Sequence, residues 1–104
     1  MRNPQLVYQQ QSVKNASPLQ LVVKMYDLVL QATYREDDKR VREILSTLIT
    51  GLNFDHEPAG QLFSLYKYCQ GLSRKGQYEE IREVLEPLRD AWQEVAGQNQ
   101  AKVG

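Results

Sequence analysis

A chain of 104 residues can bury one hydrophobic core and is too short for two. Its 13 basic and 13 acidic residues cancel, so no long-range field draws it to nucleic acid or an anionic membrane. A single cysteine, Cys69, excludes an internal disulfide. Local basic clusters, such as Lys39 and Arg40 with Arg42, are interleaved with acidic neighbours, Asp37, Asp38 and Glu43, as on a solvated helix face.

Helix signals recur along the chain and strand signals do not. Residues 1–16 are Gln-rich and lack periodicity, which predicts a mobile N-terminal arm. The first helix is expected over 18–34: Ser17 is placed to cap it, Pro18 suits the first helical position, and Gln20 falls where a capping box takes Glu or Gln. Residues 35–38 form a short connection in which either aspartate can cap the next helix. Val41, Ile44, Leu45, Leu48 and Leu52 mark the second helix. A segment from Gly51 to Pro58 closes it. Leu62, Leu65, Tyr66, Cys69 and Leu72 give the third helix one apolar face, ending near Arg74, and Lys75-Gly76-Gln77 reads as a turn. Tyr78, Ile81, Val84, Leu85, Leu88, Trp92 and Val95 lie on one side of the fourth, with Pro87 inside the pattern. That proline deletes a hydrogen bond and predicts a kink or split near residues 83–86. Residues 98–104 read as a flexible tail, which leaves 17–97 as the helical domain.

Short connections favour antiparallel neighbours, so the expected fold is all-α: an up-and-down four-helix bundle with a mobile arm. The connection at 34–38 holds no Gly or Pro. The alternative is therefore one long helix over 18–53, completed by a second chain in a swapped dimer.

The first helix carries two apolar stripes. Leu21, Val22, Met25, Leu28, Val29 and Ala32 form one wide face. Leu19, Val23, Tyr26 and Leu30 form a second beside it, leaving Gln20, Lys24, Asp27 and Gln31 for water. The second stripe has three candidate uses: contact within its own chain, a homodimer interface, or a groove for a partner segment. The candidate groove comprises Leu19, Val22, Val23, Tyr26 and Leu30, with Leu65, Tyr66 and Trp92 from the later helices. Leu6, Val7, Tyr8 and Val13 are the large apolar residues ahead of Ser17, so the arm is a candidate cover for that groove.

No pattern of catalytic chemistry emerges. His56, the single histidine, sits in a turn with no Cys or second His at ligand spacing, which predicts no metal site. No nucleophile stands in a base-oriented setting and no Gly-rich loop precedes a helix. Neither an enzyme nor a cofactor is expected. The first fifteen residues lack the apolar core of a signal peptide, and no run approaches the length of a membrane span, so the expected location is the cytoplasm.

Four segments, taken in order, resemble the flagellar secretion chaperones. The stretch "YQQQSVKNASP" from Tyr8 is similar to that family's N-terminal signature, a Tyr followed by Val and then Ala-Ser-Pro. Leu21, Met25, Tyr26 and Asp27 fall in the register of its first-helix motif. "LFSLYKY" from Leu62 resembles its Leu-x-x-Leu-Tyr-x-Tyr segment, and "LRDAW" from Leu88 its closing motif. Relative to the family pattern the chain is shorter near residues 31–38 and 70–77, two connections at the same end of an up-and-down bundle. The resemblance implies a small helical chaperone that binds the disordered C-terminal region of flagellin, blocks premature polymerisation and helps deliver it to the export apparatus. The region around Tyr8 would be a candidate contact there.

Overall fold

The computed structural model describes residues 18–103, with side chains over 18–97. Four helices follow one another: α1 (Pro18–Tyr34), α2 (Asp38–Thr50), α3 (Ala59–Arg74) and α4 (Tyr78–Val103). Each packs on its neighbours in sequence, and α4 returns against α1, which closes a four-helix bundle. The α1–α4 seam is the most extensive and the α3–α4 seam the loosest. Among the described residues there is no strand.

The connection at 35–37 is a tight turn, so the single helix over 18–53 does not form. Glu36 adopts a left-handed backbone (φ 54). Its N–H donates to the Thr33 carbonyl at 3.1 Å, and the Asp37 N–H donates to that of Ala32 at 3.0 Å. These paired bonds satisfy the last carbonyls of α1 and reverse the chain. Asp37 then caps α2, its carboxylate accepting from the Arg40 N–H at 3.1 Å. The turn from α3 to α4 repeats the device with Gly76 (φ 74) in the left-handed position, and the Gly76 and Gln77 N–H groups bond to Ser73 and Leu72. Gly76 adopts that conformation freely, whereas Glu36 is strained by its Cβ. Glu36→Gly is therefore expected to raise stability by about 0.5–1 kcal/mol, read from urea unfolding. A drop in midpoint would show that the glutamate side chain outweighs the strain.

The core runs through Tyr26, Val29, Val41, Leu45, Tyr66, Cys69, Ile81 and Leu85. Three polar residues are buried with it. The Gln70 amide donates to the Arg42 carbonyl at 3.0 Å and to Ser46 Oγ at 2.9 Å, tying α3 to α2. Ser73 Oγ donates to Asp38 at 2.7 Å, and Arg42 grips the same carboxylate with two bonds. Those Arg42 bonds first, and Ser73 second, hold the Asp38 carboxyl below its usual range. Thr33 bonds back to the Leu30 carbonyl at 2.6 Å.

Pro87 does not split α4, which is helical on both sides of it. The carbonyl left without its usual partner belongs to Glu83, and both residues face solvent, where water replaces the missing bond. The helix continues past residue 97, where the sequence reading ended the domain, to Val103. Leu6, Val7, Tyr8, Val13 and Ser17 lie outside the described residues. Pro18 opens α1, the position its ring geometry favours.

Candidate functional site

Both stripes of α1 are largely engaged within the chain. Val23 is 5 % and Tyr26 0 % exposed, and Leu19 and Leu30 are half-buried. The cause is placement: α1 lies between α2 and α4, so its apolar circumference faces two neighbours as well as the bundle axis. Val23 borders a shallow seam with α4, beside Asp27 and Arg89. Those two residues form a two-pronged ion pair, with nitrogen–oxygen distances of 2.7 and 3.3 Å. Tyr26 reaches across the axis instead. Its hydroxyl meets that of Tyr66 on α3 at 2.6 Å, with the rings edge to face at 6.2 Å. The expectation that the whole stripe lines an open groove is corrected on this point, because Val23 and Tyr26 are core.

An apolar concavity among the described residues lies elsewhere, at the end of the bundle where α1 begins and α2 passes into α3. Val22 and Met25 form its α1 wall, Leu48 the wall from α2 and Leu52 the start of the connection that follows it. Ala59, Leu62 and Tyr66 contribute from α3, and Trp92 closes it from α4. Asn53, His56, Glu57 and Pro58 rim it from the α2–α3 connection. Its volume is about 250 Å³, larger than an engineered apolar cavity of about 150 Å³ that holds benzene, so a leucine or phenylalanine side chain fits with room to spare.

Of the candidate groove residues, Val22, Tyr66 and Trp92 meet in this cavity. Tyr26 stands directly behind it, bonded to Tyr66. Leu65 is half-buried on α3 and, with Leu19, Val23 and Leu30, does not line it. Sequence reasoning missed Leu52, Leu62 and the rim. A signal was available in the connection itself, where Leu52 continues the apolar spacing of the second helix and Phe54 adds another large apolar residue.

The groups behind the cavity are neutral. Burial raises the phenol pKa of both Tyr26 and Tyr66, so the hydroxyl pair keeps its protons. The Trp92 indole N–H is shielded from water, and although it lies near enough to Tyr26 to favour charge there, it does not reach hydrogen-bond geometry. Burial pushes the Cys69 thiol up to about 11. Alkylation of Cys69 at pH 8 should accordingly proceed only at the rate of global opening, and rapid labelling of the folded chain would contradict its burial. No group of metal-ligating side chains is present among the described residues. What the cavity offers is apolar area for a guest side chain.

The model of one protein family, flagellar protein FliS, matches residues 34–99, well over half of the chain. The chain belongs to the FliS family. Membership makes it a flagellar export chaperone in the general sense of that family. The matched FliS segment takes in α2, α3 and most of α4, hence every wall of the cavity except Val22 and Met25. The motifs at residues 8–27 precede it. Comparison with curated proteins and with solved structures gave no match. Among the described residues of this FliS member, no helix is long and apolar enough to cross a membrane.

Proposed function

We propose that this FliS-family chain binds the disordered C-terminal region of flagellin in the cytoplasm, prevents its premature polymerisation and delivers it to the flagellar export apparatus. The observation that carries this reading is the apolar cavity in which Val22, Tyr66 and Trp92 converge. A disordered client supplies the missing half of such a site: it folds as it docks and seats an apolar side chain. Each large aliphatic or aromatic side chain so buried contributes about 1.5–3 kcal/mol. Ordering the client offsets about 2–5 kcal/mol or more of the gross gain, which keeps the complex reversible and lets the client be stripped off at export.

Calorimetric titration of the full chain with flagellin's isolated C-terminal segment tests the proposal. Saturable binding at tens of micromolar or tighter, with a negative heat-capacity change from apolar burial, is expected. Neither heat nor co-elution at that concentration would refute it.

A further inference from the structure

Beside the cavity mouth lies a feature that the client reading leaves unused. Phe54 is 60 % and Phe63 38 % exposed, and the two rings stack edge to face with centroids 5.8 Å apart. Each is the chain neighbour of a cavity residue, Asn53 and Leu62 respectively, so the aromatic pair extends the apolar surface outward. The same connection carries Asp55 and Glu57, both exposed, and neither forms an ion pair among the described residues. Glu57 lines the cavity, and no lysine or arginine does. The mouth is thus apolar in its floor, aromatic on one shoulder and negative on its rim. Asp27, Asp38 and Glu43, by contrast, are each held by a cation, Arg89, Arg42 and Lys39 respectively.

We propose that this mouth selects amphipathic helices that present one bulky apolar side chain flanked, on adjacent turns, by lysine or arginine. The inference rests on the cavity being a client site and adds the charge chemistry of the segment it prefers. The anchor fills the space between Met25, Leu62 and Trp92. The next apolar residue of the same helix face lies against the Phe54–Phe63 pair, and the flanking cations reach Asp55 and Glu57. An acidic flank there would set like charges against each other in a rim that holds one histidine and no lysine or arginine, which discriminates against such segments.

Trp92 is the only tryptophan in the chain, so its emission reports the cavity directly. The full chain is titrated with three tryptophan-free amphipathic peptides: a leucine anchor with lysine flanks, the same anchor with glutamate flanks, and lysine flanks with alanine at the anchor. The first should shift Trp92 emission and bind about five- to tenfold tighter than the second at low salt, as expected for two exposed ion pairs. Added salt should narrow that gap. The third should leave emission unchanged. Asp55→Lys combined with Glu57→Lys should invert the preference without altering the melting temperature, since both side chains are exposed.

Equal affinity for the lysine and glutamate peptides would overturn the proposal. So would an emission change on simple dilution, which marks a second copy of the chain in the cavity. An emission shift on removal of residues 1–17 that the leucine–lysine peptide then reverses would overturn it too, by making those residues the occupant. The two readings also fail separately in the same titration. Flagellin segment binding without charge preference removes only this inference; charge-selective peptide binding with no flagellin binding removes only the flagellin assignment.

Discussion

Tyr26→Asp is expected to unfold the bundle, not merely to strip it of a client. The ring is fully buried and its hydroxyl is bonded to Tyr66 at 2.6 Å. Replacing a buried aromatic ring by a small side chain costs about 3–5 kcal/mol. The Tyr66 hydroxyl, left without its partner, adds about 1–3 kcal/mol. A carboxylate in the same place must then either stay charged without a counter-ion or take up a proton, and both are unfavourable. The first two costs alone, about 4–8 kcal/mol, reach into the roughly 5–15 kcal/mol that holds a domain together, and the carboxylate adds to them. Far-UV circular dichroism at 25 °C should show lost helicity. A variant that kept its helices and lost only client binding would return Tyr26 to the surface and refute the core assignment. Tyr26→Phe is the graded companion: it keeps the ring, orphans one hydroxyl, and should cost about 1–3 kcal/mol. Adding Tyr66→Phe should then cost little more, because no unpaired hydroxyl remains.

Leu62→Asp is expected to behave in the opposite way. Leu62 is half-buried on the first turn of α3 and lines the cavity, so a carboxylate there still reaches water while it charges the surface a client must cover. Removing an anchoring hot-spot contact at the centre of an interface costs about 2–4 kcal/mol, so with Leu62 in that role client affinity should fall about thirtyfold to a thousandfold. Helicity should be retained. Leu62→Ala serves as a gentler variant if the aspartate destabilises α3. Calorimetry against flagellin's C-terminal segment supplies the readout, and unchanged affinity for both variants would place the client elsewhere on the bundle. Together with Tyr26→Asp, the pair separates a residue that makes the cavity wall rigid from one that meets the guest.

The architecture was readable because its signals are local. Pro18 opens α1, and α1 ends at Tyr34 and α3 at Arg74 as the apolar spacing and turn residues predict. Gly76 marks a left-handed turn that few other residues adopt without strain. The connection at 35–37 shows where the local code thins. It makes the same turn as 75–77, yet places Glu36 in the strained position, so with no Gly or Pro the only turn signal lay in its capping aspartates, and a continuous helix stayed open. Pro87 does not split α4, and the carbonyl it frees faces solvent, where water replaces the lost bond.

By itself, then, the sequence determined four helices, their order, their apolar faces and the motifs shared with the FliS family. Periodicity, caps and turn residues act within a few positions of one another. Only the tertiary structure decided which residues of each apolar stripe are interior and which line the cavity. Nothing in the α1 periodicity says that Tyr26 will meet Tyr66 across the axis while Val22 and Met25 face a cavity, since that depends on where α3 and α4 come to lie. The cavity is likewise assembled from four helices and the α2–α3 connection. Its shape is a property of their packing angles and loop path, which no single stretch of chain encodes.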